Sequence, residues 1–278
     1  MVPEADRIPR ESLGRVSWFL LWAALLPCAV AVIGWVLLPD SKPTEKLARA
    51  RLALPNTARL RSPRCAENMV LVGGFCIDVY EASTETLDPS GRVLGPHTPY
   101  AMLKNERVRA VSRAGVHPQA HVTFEQARDA CDRAGKRLCS DTEWMQACRG
   151  PQATKFPYGR SYDKTACNDR ASSPFWKLFG SEPPASVLAS PIALNNPRLN
   201  QQGGLAKTGA FSRCVSGYGA HDMVGNLHEW TADPAGTFRG GYYRDAREHG
   251  PGCLYVTKGH DAHYRDYSTG FRCCASPL

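Results

Sequence analysis

The sequence predicts one transmembrane helix followed by a single mixed α/β domain on the far side of the membrane. Three observations carry that prediction. A run of 23 residues, Val16 to Leu38, holds no charge. Beyond it come a strand-turn-strand pattern and two helices with complete start signals. Ten of the eleven cysteines lie in this later part, an even number with no C-x-x-C pair, which argues for disulfides rather than zinc.

Length and charge exclude several classes. At 278 residues the chain has room for one sizeable domain and little more. A hydrophobic fraction of 43% and a charged fraction of 22% are ordinary for a globular protein. The net charge of +8 is unevenly placed. Residues 1–64 carry 10 Lys/Arg against 5 Asp/Glu, and the remainder 24 against 21. The basic excess flanks the uncharged run, where anionic lipid attracts it, so the charge does not mark a nucleic-acid binder.

Taken in order, residues 1–15 form a polar cytoplasmic tail. Residues 16–38 are long enough, at ~1.5 Å per residue, to cross a bilayer as a helix. Trp18, Trp22 and Trp35 sit toward its two ends, as interfacial anchors do. A cleaved signal peptide is the rival, but its apolar core is normally ~7–15 residues and the P-D-S-K-P that follows makes a poor cleavage site. Residues 39–64 read as a basic, Pro-containing linker. Charge does not orient the helix, because Lys42, Lys46, Arg49 and Arg51 balance Arg7, Arg10 and Arg15. The cysteines do, since disulfides form outside the cytoplasm. The expected location is the inner (cell) membrane, single-pass, with residues 65–278 in the periplasm.

In that domain, Met69-Val70-Leu71-Val72, a Gly-Gly turn and Phe75 to Tyr80 predict a hairpin stapled by Cys65–Cys76. Thr123-Phe124-Glu125-Gln126 is a capping box opening a helix that stops at Gly135, with Phe124, Ala127, Cys131 and Ala134 on its apolar face. A second box, Ser140 to Glu143, opens a shorter helix that buries Trp144, Ala147 and Cys148 and ends at Gly150. Residues 171–207 lack periodicity and form an excursion. The stretch Cys214 to Trp230 is different: three glycines in nine residues imply tight or left-handed backbone. There Asp222, Asn226 and Glu229 supply oxygens while Met223, Val224, Leu227 and Trp230 pin the loop to a core.

That loop, G-Y-G-A-H-D-M-V-G-N-L-H-E-W, resembles the central signature of the formylglycine-generating enzyme (sulfatase-modifying factor) family, with His221 and His228 where the family has aromatics. The segment V-T-F-E-Q through A-C-R-G, then F-P-Y-G, A-C-N, R-G-G and G-F-R-C resemble other family motifs in the right order. The resemblance covers residues 65–275. It implies a mixed α/β fold with low regular secondary structure, related to the C-type lectin fold.

It also implies an oxidase whose two cysteines, following an R-G-G-S-Y motif, bind copper(I) through soft thiolates. Here those two positions hold Asp245 and Gly250, and Tyr242 stands at the serine position. The copper chemistry is therefore not carried over. A harder metal, iron or zinc, could use Asp245, His249, His260, Asp261 and His263, which cluster in sequence. The resemblance implies structural calcium held by the Asp222 and Glu229 side chains with the Gly225 and Leu227 carbonyls. A second calcium would use Asn168 and the Asp169 carbonyl. The hydrogen-bonding alternative, in which Asp222 and Glu229 simply tie the loop together, is weighed against it.

The resemblance further implies Cys148–Cys253 and Cys131–Cys273. The remaining four cysteines are assigned as Cys139–Cys274 and Cys167–Cys214, their other pairings staying open, and a free catalytic thiol among them is the rival. No G-x-S-x-G occurs for a hydrolase. The expected function is a non-catalytic binding or scaffold role, with an envelope protein or a glycan as partner. Residues 171–207 and 242–266 would form the recognition face, with Tyr242, Tyr243, Tyr255, Tyr264 and Tyr267 as aromatic contacts. The alternatives are a non-haem metal oxidase and a sulfatase-activating type of protein-modifying enzyme with rearranged cysteines.

Overall fold

Short strands and long connections build this domain, because few stretches keep an alternating or helical pattern beyond six residues. The computed structural model describes residues 64–278. The tail, the anchor expected over 16–38 and all but the last residue of the linker lie outside the described residues. Among the described residues no helix is long and apolar enough to cross a membrane.

The hairpin forms as expected, β1 (Met69–Val72) pairing antiparallel with β2 (Phe75–Asp78) across a left-handed Gly73. The sequence reading did not resolve the next unit, a three-stranded sheet in which β3 (Ala82–Leu87) runs between β4 (Val93–Pro96) and β5 (Arg107–Ser112). Helix α1 (Phe124–Asp132) and helix α2 (Asp141–Arg149) each carry both hydrogen bonds of a capping box, from Thr123 and Ser140. Helix α1 ends three residues before Gly135, which takes up the following left-handed turn. Between the helices β6 (Arg137–Leu138) joins β11 (Cys273–Ala275), giving the sheet order β1-β2-β11-β6.

The excursion is ordered as three short helices, α3 (Pro174–Phe179), α4 (Ala185–Leu188) and α5 (Pro191–Leu194), and a 3-10 segment, Pro197–Gln202. The rest of the chain forms a second four-stranded sheet. Strand β7 (His228–Trp230) lies between β8 (Phe238–Arg239) and a parallel β10 (Thr269–Phe271), and β9 (Val256–Thr257) closes the edge.

Three buried clusters fill the space between these pieces. One surrounds Trp144, a second Trp230 with Phe124 and Phe271, and a third Tyr243 with Phe175 and Leu199 beneath the excursion. Five disulfides fasten them: Cys65–Cys76, Cys131–Cys273, Cys139–Cys274, Cys148–Cys253 and Cys167–Cys214. Successive residues of a strand face opposite ways, so Cys273 enters the Trp230 cluster and Cys274 the Trp144 cluster. One strand thereby cross-links both cores.

A neutral histidine clamps the excursion. His121 is fully buried, its Nδ1 donating to Asn195 Oδ1 at 3.3 Å and its Nε2 accepting from Asn200 Nδ2 at 3.5 Å. Burial pulls this imidazole down to about 4. The unfolded chain therefore takes up a proton at His121 that the folded chain refuses, so its contribution is complete above pH ~6.5 and shrinks as pH falls toward ~4. Between pH ~7 and ~5 the loss is about 2 kcal/mol. We expect a His121→Gln variant of the full chain to lose that much less stability than the native chain over this interval in denaturant titrations. Other buried groups titrate in the same window, so the readout is the difference between the two proteins.

Candidate functional site

The loop from Cys214 to Trp230 is held by backbone that few sequences tolerate. Asp222, Gly225 and Asn226 all take left-handed φ, at 56°, 78° and 57°. A Cβ on Gly225 would sit 2.1 Å from the Asn168 carbonyl oxygen, so only glycine fits there. The Cys167–Cys214 bridge then fixes the loop's start beside the Asn168 turn.

Asn226 saturates the inside of the loop. Its Nδ2 donates to Glu81 Oε2 at 2.5 Å, and its Oδ1 accepts from Asn168 Nδ2 and from the Ala206 amide, both at 2.9 Å. Glu229 is committed just as fully. Arg272 forks onto both its oxygens at 2.6 Å, and Trp144 Nε1 donates to Oε2 at 2.6 Å. Arg272 and Glu229 are both 0% exposed, and the guanidinium's remaining N–H groups reach the carbonyls of Asp78, Val79 and His221.

Charge does not balance in this core. Glu81, Asp222 and Glu229 are three buried carboxylates grouped around one guanidinium. Burial raises Glu81 far above the usual carboxylate range, and the charges of Asp222 and Glu229 add to it. Burial likewise raises Asp222 to about 6, against the Gly209 amide that donates to its Oδ2 at 2.7 Å. A hard cation takes such oxygen groups where their atoms converge, and among the described residues no three of these side chains do so. Here Asp222 keeps oxygen capacity to spare and Glu229 does not. Of the other calcium candidates, Asp169 is buried and accepts from Tyr162 at 3.3 Å.

A second feature lies on the opposite flank of β7. His228 packs among Tyr242, Tyr255 and Phe238 at ring separations of 5.0, 5.5 and 5.6 Å, and lines a cavity of about 240 Å³. His249, His260, Tyr264, Tyr267 and Asp266 line it too. Burial brings the His228 imidazole down to about 4, so it is neutral, and its Nδ1 is buried with no hydrogen-bond partner. Thr257 Oγ1, at the same cavity, is also buried and unpartnered.

The alternative iron set does not assemble. Asp245 turns its carboxylate onto the amides of Arg247 and Glu248, at 3.1 and 3.0 Å. His263 is an exposed side chain 3.4 Å from Glu125, and Asp261 accepts from the His263 amide. Only His249 and His260 of that set reach the cavity. Among the described residues no three His, Cys, Asp or Glu side chains group as metal ligands. The copper positions fare no better, because Asp245 is spent on backbone and all ten cysteines of the domain are in disulfides.

One proposed contact needs correcting. Tyr243 is 0% exposed, its hydroxyl donating to Asn200 at 3.2 Å, and Gly204 lies so close that a Cβ there would be 2.5 Å from the ring. It is core, not recognition surface. Tyr255 and Tyr267 are also buried, but both line the cavity, and Tyr242 and Tyr264 are half-buried at it. Glu81, Thr257 and Asp266 were missed, since each sits in a stretch without a motif. His228 had a signal, as an imidazole replacing an aromatic in the loop signature.

A family model described as the sulfatase-modifying factor enzyme 1-like domain matches residues 53–276. The chain belongs to that family. Over 118 residues it is 31% identical to a formylglycine-generating enzyme of Mus musculus, covering 42% of this chain and 27% of the enzyme. It is 32% identical over 120 residues to a hercynine oxygenase of Mycolicibacterium smegmatis, with 43% and 22% covered. It is 29% identical over 116 residues to an inactive C-alpha-formylglycine-generating enzyme 2 of Bos taurus, with 41% and 32% covered. The match thus spans about a third or less of each relative's own length.

Removing the cation from the buried pair tests its role. Arg272→Met leaves Glu229 as an uncompensated buried charge and should cost about 3–5 kcal/mol. Denaturant unfolding of the native and variant chains measures it, and a cost below about 1 kcal/mol would show that the pair is not a structural keystone.

Proposed function

We propose that this is a membrane-anchored domain of the cell envelope that binds a partner and carries out no thiolate oxidase chemistry. One observation carries the reading. The positions where the family resemblance puts two copper-binding cysteines hold Asp245 and Gly250, and every cysteine of the described domain is cross-linked. No thiolate is left in the domain to hold copper(I). The inactive bovine relative supports the reading by analogy.

Five disulfides favour an oxidising compartment, hence a periplasmic domain behind an anchor at residues 16–38 of the inner membrane. The recognition surface combines the cavity beside His228 with the excursion. There Trp176, Phe179, Leu188 and Ile192 stand from 50% to 88% exposed, an apolar patch of the kind that partners cover. Either an envelope protein or a glycan fits such a surface. Calcium would be held by the Asp222 carboxylate and the carbonyls of Gly225 and Leu227, with Asn168 and Asp169 as a second set; Glu229 could join only by giving up one of its bonds to Arg272 or Trp144. When bound it would neutralise the carboxylate surplus and stiffen the loop.

A second reading, a non-haem metal oxidase or a protein-modifying enzyme, draws on the match to hercynine oxygenase and on three imidazoles, His228, His249 and His260, lining one cavity. Metal analysis separates the two readings. Stoichiometric iron or copper supports the enzyme, and calcium alone supports the binder.

The thiol count decides the main reading. The full chain is exported, denatured in an alkylating agent and weighed intact. One alkyl group before reduction, on Cys28, and eleven after it are expected from the eleven cysteines and five bridges. Alkylation of any cysteine from Cys65 onward in the unreduced chain would sink the binding reading and mark where the chemistry lies.

A further inference from the structure

The geometry points to a saccharide site: we propose that the cavity beside His228 takes one uncharged sugar ring. This rests on the binding reading above and names the ligand class. Buried polar atoms in native proteins nearly always have a partner, and those that do not call for an explanation. Here His228 Nδ1 has no partner, Thr257 Oγ1 lies near the Tyr255 hydroxyl but outside hydrogen-bonding distance of any group, and both residues line one cavity. His228 is buried, its ring nitrogens can donate or accept, and the threonine hydroxyl can do either. Groups of that dual character are matched by alcohols, which also donate and accept.

Charged ligands fit less well. An anion would meet Glu248 and Asp266, both lining the cavity. An organic cation would want a free carboxylate inside the cavity, where Asp266 is already spent, and the exposed Glu248 is left to the test below. Its Oδ1 accepts from the Ser268 amide and hydroxyl at 2.8 and 2.7 Å, and its Oδ2 from Tyr264 at 2.8 Å. A metal lacks a convergent ligand set among the described residues. The cavity, about 240 Å³, falls below the ~300–1,000 Å³ usual for drug-sized ligands, which limits it to a small occupant. Tyr242, Tyr255 and Phe238, packed around His228, supply apolar walls for the C–H face of a sugar.

The edge of the cavity is built to keep this shape. Strand β8 carries Phe238, β9 carries Thr257, and both pair within the sheet that holds His228. Three of the lining side chains, His228, Phe238 and Thr257, therefore stand on adjacent strands, and the rest come from the connecting loops.

The test uses the full chain in a detergent whose headgroup contains no sugar. Saturation-transfer NMR is recorded with glucose, galactose, mannose and N-acetylglucosamine, and separately with tetramethylammonium chloride. At least one sugar should give saturable binding. His228→Phe, which restores the family's aromatic character, and Thr257→Val should each weaken it about tenfold, as expected for one lost hydrogen bond to a buried partner. Near-UV circular dichroism and the intact disulfide count show that each variant is folded. No binding by any of the four sugars overturns the proposal. So does binding of tetramethylammonium in their place, or sugar binding that neither variant weakens. Failure here leaves the binding reading standing, because that reading falls on the thiol count and the metal analysis instead.

Discussion

The buried pair of Arg272 and Glu229 is the constraint on which the rest of this domain depends. Burying two ions is expensive, and their attraction repays it only when geometry is excellent and the remaining donors are satisfied. Both conditions hold. The guanidinium forks onto the carboxylate at 2.6 Å on each arm, and its other N–H groups go to three backbone carbonyls from two parts of the chain. Arg272 lies between β10 and β11, Glu229 on β7, and the carbonyls belong to the end of β2, the turn after it and the signature loop. Each of the two four-stranded sheets contributes to the cluster. With few long strands to define their relation, this polar contact and the disulfides from β11 do so.

The same pair explains why a glycine-rich loop can be rigid. Trp144 places its ring in one core and its Nε1 on Glu229, so helix α2 is tied to β7 by a charge-assisted bond. Asn226 ties the loop to Glu81, Asn168 and Ala206 at once. Left-handed backbone at Asp222 and Asn226 costs energy that these contacts offset. The surplus of carboxylate around Arg272 then remains. Glu81 and Asp222 meet it by holding protons more tightly, or a cation takes it up.

Much of this was legible because its signals are local. Both capping boxes stand in four consecutive residues, Thr123 to Gln126 and Ser140 to Glu143, and both form as written. The pairing of Cys273 and Cys274 with different partners follows from strand alternation, which needs no tertiary knowledge. Other features depend on distance in sequence. Glu81 meets Asn226 across 145 residues and belongs to no motif, so nothing local distinguishes it from an exposed strand-end carboxylate. The β3–β4 hairpin carries a turn signal, Asp88-Pro89-Ser90-Gly91, but Ala82 to Leu87 offers few apolar residues in alternation to mark a strand. Tyr243 illustrates the opposite error. In a loop without periodicity no pattern separates inward from outward tyrosines, and burial is decided by Gly204 packing flat against the ring.

The residues at the positions where the family resemblance places copper, and the frame around them, fit one physical account. Asp245 stands where the family resemblance places a thiolate, yet its carboxylate caps the amides of Arg247 and Glu248, which makes it a turn former rather than a ligand. The loop keeps its shape by local hydrogen bonds where a metal would otherwise bridge it. Beside it, His228, where the family resemblance places an aromatic, stacks on Phe238 and packs against Tyr255 but introduces nitrogen atoms into a largely buried space. An aromatic hydrocarbon there would need no partner. An imidazole does, and its buried Nδ1 has none within the protein. A polar group maintained at that cost, on a three-strand platform, is better explained by something that enters the cavity than by packing alone.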